Sequence, residues 1–263
     1  MVKIGIIGLG LIGASILKAL HNNKNYEFFC CSKSSFKNAL KYTKNSSDDI
    51  KIISKCDIIF ICTKASKTLE TLEKLNTFLN KKTIVCDVCS IKKDLLNKNF
   101  NFNFILSHPM AGSEKSGFSA SNKNLFKDCK WLIEKENKIL KNIILDLGAK
   151  PYKIDMNKHD EMCAQISHLP TILSFLLFNI SSKDALKIAS SGFRDTTRLA
   201  MTECDLVFSM YKNNEKNILI AFKNLEKELN NLKNLSDDEK IKLFKAVAEK
   251  RAKMYDNNGK NIL

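Results

Sequence analysis

Over the first 110 residues, apolar positions fall into short β-prone runs divided by helical stretches. Val2–Ile7 predicts a strand, and glycines and then helical spacing follow it to about Leu20. Tyr26–Cys31 predicts a second strand, and residues 37–42 a short helix. Residues 57–62 (Asp-Ile-Ile-Phe-Ile-Cys) form a continuous apolar run of the buried-strand kind. A helix is predicted over residues 69–79, with further strands over 83–88 and 104–107. Such alternation predicts a parallel sheet covered on both faces, because each crossover lays a helix against it.

From about residue 158 the strand signals stop. Residues 162–180, 183–190, 203–211, 218–232 and 237–255 carry helical spacing, while 230–234 and the tail from 257 are polar and read as loose. The expected architecture is α/β: a doubly wound sheet domain over residues 1–155, then an all-helical substrate and dimerisation domain over 156–263.

Composition narrows the function classes. Hydrophobic residues make up 44% and charged residues 27%, interspersed as in a globular chain. The longest apolar run, near residues 172–180, is too short to span a bilayer and is broken by Ser174 and Asn179. A strand pattern starts within two residues of Met1, so no signal peptide is read and a cytoplasmic location is expected, with no membrane partner. The net charge of +15 comes from 40 lysines and only 3 arginines, scattered among asparagines rather than gathered in a stripe. Nucleic acid is therefore not an expected partner, although the field favours small polyanions. The nine cysteines read as reduced core residues. Cys86 and Cys89 form a lone CxxC without the second pair a zinc site needs, so no metal is expected.

Gly8-Leu9-Gly10-Leu11-Ile12-Gly13 follows a strand and opens a helix within a βαβ pattern. Gly8 permits the tight turn, Gly10 lets the backbone approach a pyrophosphate, and Gly13 lets helix and strand pack closely. The phosphates would sit on free N–H groups at the helix N-terminus, those of Leu11 and Ile12 among them. This makes the first domain a Rossmann-type dinucleotide-binding domain. Its expected cofactor set is completed by Thr63, just past the apolar run, and by Ser32 and Lys33. At the end of the second strand an NAD enzyme usually presents a carboxylate to the ribose, but here the segment reads Cys30-Cys31-Ser32-Lys33-Ser34. A hydroxyl and a cation suit a 2′-phosphate, so NADP is expected over NAD, unless Lys33 is one more solvated lysine.

Scarce residues point to the chemistry. His108, His159 and His168 fall near the domain junction, with Pro109 and Pro170 beside two of them. Arg194 and Arg198 stand in Ser190-Ser191-Gly192-Phe193-Arg194-Asp195-Thr196-Thr197-Arg198. Where lysine serves nearly every cationic position, arginine suits a site needing a planar two-pronged donor for a carboxylate or phosphate. The plainer alternatives are an ion pair of Arg194 with Asp195 or Glu203, a structural pair for Arg198, a surface cap for His159 and a core role for His168. His21 and Arg251 read as solvated helix residues.

Four segments carry a resemblance: Asp87-Val88-Cys89-Ser90-Ile91-Lys92, Ser107-His108-Pro109-Met110-Ala111-Gly112-Ser113-Glu114, Ser167-His168-Leu169-Pro170 and Gly192-Phe193-Arg194-Asp195-Thr196. Together with the glycine loop, and in this order over residues 5–198, they resemble the signature blocks of the prephenate/arogenate dehydrogenase family. The resemblance implies NAD(P)-dependent oxidative decarboxylation of a cyclohexadienol in tyrosine biosynthesis, by a homodimer. It implies His108 as catalytic base, Ser90 as the residue that orients it, and Arg194 as anchor of a substrate carboxylate. His168, Gly112, Ser113 and Glu114 would line the substrate pocket. Many prephenate-using members carry a second histidine directly after SHLP; here Thr171 stands there, which tilts the expectation slightly toward arogenate. The alternatives are another Rossmann dehydrogenase with a helical second domain, of the 6-phosphogluconate or pyrroline-carboxylate reductase type, and a non-enzymatic NADP-sensing regulator.

Overall fold

The structure, a computed structural model, describes residues 1–113 and 115–255. Six parallel strands form the main sheet: β1 (Val2–Ile7), β2 (Tyr26–Cys31), β3 (Asn45–Ser47), β4 (Ile58–Ile61), β5 (Ile84–Asp87) and β6 (Asn103–Ile105). Their spatial order is β3-β2-β1-β4-β5-β6, so the direction of winding reverses between β1 and β4. Ligands of open α/β sheets bind outside the strand ends at such a reversal. Three helices serve this half: α1 (Leu11–Leu20), the single turn α2 (Phe36–Ala39) and α3 (Ala65–Asn76).

The apolar runs are continuous because both faces of the sheet are buried. In β4, Ile58 and Phe60 enter one core with Ile4, Ile16 and Leu17, while Ile59 and Ile61 enter a second core with Leu72, Leu75 and Val85. Each fully buried side chain of this size contributes roughly 1.5–3 kcal/mol. Cys86 and Cys89 fall in different cores, so their CxxC spacing brings no metal pair together.

A second sheet went unrecognised in the sequence. It comprises β7 (Ser107–Pro109), β8 (Lys130–Ile133) and β9 (Lys150–Lys153), with α4 (Lys138–Asp146) in the β8–β9 crossover. The single strand expected over residues 104–107 is in fact two, parted at Leu106. The ladder stops because the Ser107 N–H bonds to Asp87 Oδ1 (3.0 Å) and the Ser107 carbonyl is taken by Lys92 Nζ (2.6 Å).

After Lys153 every described element except an isolated bridge at Tyr255 is helical. α5 (His159–Cys163) runs into a π-helical turn (Ala164–His168) and then α6 (Leu169–Ile180). The single helix expected over 162–180 is thus interrupted. Pro170, near the start of α6, has no N–H to give the previous turn and its ring would crowd that turn's carbonyl. Short helices α7 (Lys183–Lys187) and α8 (Ser191–Thr197) follow, then α9 (Cys204–Asn234) and α10 (Asp237–Met254). α9 covers both helices expected there and leaves helical geometry only at Asn214, with φ −126° and ψ 23°. Residues 230–234 are helical, not loose, because extending an existing helix costs little even through asparagine. The tail from 257 lies outside the described residues.

Met1–Glu215 form one compact unit, and the described residues from Lys216 on form a second. The first unit reaches past residue 155 because Asp160 accepts the backbone N–H groups of Lys92 and Lys93 (2.8 and 2.9 Å), tying α5 to the segment after β5. The helical stretch Met156–Ile180 is long and apolar enough to cross a membrane by length and composition, contrary to the expectation from shorter runs. It also holds buried His159, Asp160 and His168, whose polar partners lie within the compact unit.

Candidate active site

The glycine loop is built as its spacing requires. Gly8 has φ +92°, and a Cβ there would lie 2.5 Å from the Cys62 carbonyl oxygen. A Cβ on Gly13 would lie 2.0 Å from the Gly8 carbonyl oxygen, so helix and strand meet only without a side chain. At Gly10 an added Cβ would meet nothing within 4 Å, which leaves open space at the N-terminus of α1. The first N–H bonded within that helix is Ala14's, to the Gly10 carbonyl at 3.0 Å. No side chain caps the helix and no acid sits in its first turn. The N–H groups of Leu11, Ile12 and Gly13 therefore face an unfilled, locally positive space, which fits a pyrophosphate. Thr63 flanks the same turn, its N 2.9 Å from where a Gly8 Cβ would stand.

At the end of β2, Ser32 turns its Oγ back to accept the Ser35 N–H (3.2 Å), and Lys33 is exposed. The neighbouring crossover brings Asp48 and Asp49 near. Burial first, then these two carboxylates, push the Cys31 thiol up to about 11. Reading only the end of β2 missed these acids.

Between the two sheets lies a buried ion pair. Lys92 is fully buried, and its Nζ donates to Asp87 Oδ2, to the Cys89 carbonyl (2.8 Å) and to the Ser107 carbonyl (2.6 Å). Asp87 also accepts the N–H groups of Cys89 (3.0 Å) and Ser107 (3.0 Å). The Ser107 hydroxyl donates to the Asp87 carbonyl (2.6 Å) and accepts the indole N–H of buried Trp131 (3.2 Å). Every polar group is thus satisfied, and β7, with His108 at its centre, is pinned to the end of β5. Sequence reasoning passed over Lys92, one lysine among 40; its place in the DVCSIK segment was the available signal.

His108 meets His159 rather than Ser90. Its Nδ1 lies 3.0 Å from His159 Nε2, and His159 Nδ1 lies 2.7 Å from Asp160 Oδ1. His159 is completely buried, which overturns its reading as a surface cap. His168, also buried, has Nδ1 3.0 Å from Asn214 Nδ2. The same amide nitrogen lies 2.7 Å from the Asp160 carbonyl. A carbonyl can only accept, so Asn214 donates, and His168 Nδ1 accepts its other hydrogen. That leaves His168 Nε2 as the protonated donor. Asn214 reaches both partners from the one residue of α9 that leaves helical geometry, and a lone asparagine gave no sequence signal.

The electrostatics hold His108 and His168 uncharged. Burial, then the Lys92 ammonium, then His159 and His168, press the His108 pKa well below its ordinary value. Burial lowers His168 to about 4 against the opposing pull of Asp160. Burial alone would raise Asp160, but the His159 hydrogen bond and two backbone donors outweigh it and keep the carboxyl below its usual value.

The remaining expected residues are placed as follows. Thr171 is buried on α6 and its hydroxyl donates to the Ser167 carbonyl (2.9 Å). Gly112 is exposed with open space around it, and Ser113 Oγ accepts the Lys115 N–H (3.1 Å). Glu114 lies outside the described residues. Ser90 sits at a bend between β5 and Lys92. Arg194 on α8 is exposed and pairs with Asp195 Oδ1 at 3.0 Å, the alternative partner considered from sequence. His21 is half-buried, edge-on to Tyr42 at 5.0 Å, and not simply solvated.

Comparison with known proteins agrees with this organisation. Residues 16–152 match the model of the prephenate dehydrogenase nucleotide-binding domain, and 155–249 that of the prephenate dehydrogenase dimerization domain. A prephenate dehydrogenase of Lactococcus lactis subsp. cremoris is 31% identical over 249 residues, covering 88% of this chain and 70% of the relative. Synechocystis arogenate dehydrogenase superposes with a TM-score of 0.78 at 28% identity, covering 95% of this chain and 98% of that one. Prephenate dehydrogenase from A. aeolicus, solved with hydroxyphenyl propionate and NAD+, gives 0.81 at 25% identity, covering 95% and 97%. With two family models matched in succession across most of its length, the chain belongs to the prephenate dehydrogenase family.

Proposed function

We propose that the chain catalyses the NAD(P)-dependent oxidative decarboxylation of prephenate or arogenate, with His108 as the base. The observation that carries this reading is the place of His108, half-buried on β7 with its Nδ1 3.0 Å from His159 Nε2; burial and the Lys92 ammonium press its pKa down and keep it ready to accept a proton. The glycine loop, Leu11 and Ile12 hold the dinucleotide. A bound nicotinamide supplies the hydride acceptor for the carbinol carbon. His108 removes the hydroxyl proton, so a carbonyl develops at that carbon. The carbonyl is conjugated with the ring carbon bearing the carboxylate and takes up the electrons released as CO2 leaves, and aromatisation makes the step irreversible.

Arg194 anchors a substrate carboxylate. Its pair with Asp195 is exposed on both sides, and such pairs contribute only about 0–1 kcal/mol, so exchange for a two-pronged bond to substrate costs little. His168, with Nε2–H free to donate, serves the pocket, and Gly112 and Ser113 border it. Ser90 is close in sequence to Lys92 and serves the same end of the site. The helical region dimerises: α6 exposes Leu176, Phe178 and Ile180, and α10 exposes Ile241, Phe244 and Val247, apolar surface suited to a second copy.

Two finer preferences follow. Thr171 gives its only proton to Ser167, so it offers a ligand a lone pair, which suits the ammonium of arogenate better than the keto group of prephenate. NADP is preferred over NAD because Ser32 and Lys33, just past the end of β2, offer a hydroxyl and an ammonium at the place where an NAD enzyme usually presents a carboxylate. Steady-state kinetics on both substrates with both cofactors test the whole reading. Arogenate should be used at least as well as prephenate, and Thr171→His should raise the relative activity on prephenate. Ser32→Asp should move cofactor preference toward NAD. Efficient use of prephenate with arogenate ignored defeats the substrate preference, better kcat/KM with NAD defeats the cofactor preference, and no turnover of either substrate defeats the activity.

A further inference from the structure

The strongest feature that the proposed chemistry leaves unused is the buried chain of groups behind His108. Asp160 is the fixed end. Its two oxygens face the backbone N–H groups of Lys92 (Oδ1, 2.8 Å) and Lys93 (Oδ2, 2.9 Å), which can only donate. Asp160 therefore acts solely as an acceptor, and the imidazole nitrogen 2.7 Å from Oδ1, His159 Nδ1, must hold a proton. In the neutral ring the other nitrogen, His159 Nε2, then carries a lone pair. It faces His108 Nδ1 at 3.0 Å, so His108 donates there. The lone pair of His108 is left on Nε2.

We propose that His159 and Asp160 are positioning residues that fix the tautomer of His108, keeping the proton on Nδ1 and the basic lone pair on Nε2 for the substrate hydroxyl. The inference rests on the proposed role of His108 as base. It adds what a lone histidine lacks: a reason for one nitrogen, not the other, to be the base. It also gives the charge somewhere to settle. When Nε2 takes the substrate proton, the Nδ1–H of the imidazolium points along a hydrogen-bonded line to a buried carboxylate.

The same nitrogens, with the Cys163 Sγ 3.5 Å from His159 Nε2, are near enough to suggest a metal site. The distances favour the hydrogen bond. Two nitrogens on one tetrahedral zinc ion stand roughly 3.3–3.4 Å apart at the usual bond lengths, whereas these are 3.0 Å apart. Burial also pushes the Cys163 thiol up to about 12, which opposes the thiolate a metal would need.

The test uses the full-length chain, with nitrogen-15-labelled histidine and two substitutions. In the unsubstituted protein, NMR should show His108 protonated on Nδ1 and bare on Nε2. His159→Leu removes the acceptor; it should abolish that tautomer preference and lower kcat about 10²-fold, within the range seen when an orienting partner is lost. KM for substrate and cofactor should change less than about threefold. His159→Gln places an amide oxygen near the lost Nε2 and should restore both the Nδ1–H signature and most of kcat. A His108 protonated on Nε2 in the unsubstituted chain overturns the proposal. So does a folded His159→Leu with near-native kcat, or a His159→Gln that recovers stability without recovering tautomer and rate. The tautomer is read without substrate, so a chain that turned over neither prephenate nor arogenate would count against the proposed activity while leaving the tautomer result to stand by itself.

Discussion

Replacing His108 with asparagine is expected to lower kcat by roughly 10²–10⁴, the usual contribution of a positioned acid-base group, while cofactor affinity and thermal stability stay near native. Asparagine keeps a polar group at the Nδ1 position facing His159 but has no basic nitrogen for the substrate. The unsubstituted protein supplies the companion measurement. Protonation removes the base, so kcat/KM falls on the acid side. Because burial and Lys92 press the His108 pKa well below 6.5, the rate should stay level through the ordinary histidine range and decline only below it. Near-native turnover by the asparagine variant would remove His108 from the mechanism.

The second large effect falls on stability. Lys92→Met preserves most of the side-chain volume but strands the Asp87 carboxylate in the interior with only the Cys89 and Ser107 N–H groups as donors. Breaking one side of a buried pair costs about 3–5 kcal/mol, and in a chain of this length that lowers Tm by on the order of 10 °C. Denaturant unfolding of both proteins measures it. Removing the ammonium also removes a positive charge that disfavours the imidazolium, so the acid limb of the activity profile should move to higher pH. A variant within 1 kcal/mol of the parent, with an unmoved limb, would show that the pair neither holds β7 nor tunes His108.

How much was legible in the sequence depended on whether a residue's role is local. Gly8, Gly10 and Gly13 act through backbone geometry within one turn, so their spacing alone announced the loop. β4 and β5 were legible because burial on both faces leaves an unbroken apolar run. The second sheet was not. β9 reads Lys-Pro-Tyr-Lys and is largely exposed, without alternation or β-branched residues, and it exists through pairing with β8. His159 beside Asp160 at a helix start looks like a cap from its neighbours alone. Its burial is decided by His108, 51 positions away. Asn214 was equally silent, because what distinguishes it from the other asparagines is a departure from helical geometry that no local pattern encodes.

The cysteines of this chain have a consequence for the laboratory. Eight of the nine are wholly or partly buried, and burial is the leading cause that raises each of those thiols, to about 11 at Cys31, Cys89 and Cys129, to about 12 at Cys30, Cys56 and Cys163, and well above the ordinary value at Cys62 and Cys86. Only Cys204, in the first turn of α9, is exposed. At neutral pH a maleimide or iodoacetamide reagent should therefore modify one position per chain, and mass spectrometry of the intact protein would show a single adduct. A fluorophore or spin label could then be set ten residues before Asn214 without engineering out a single native thiol, so that substrate and cofactor arrival could be followed by a signal independent of turnover.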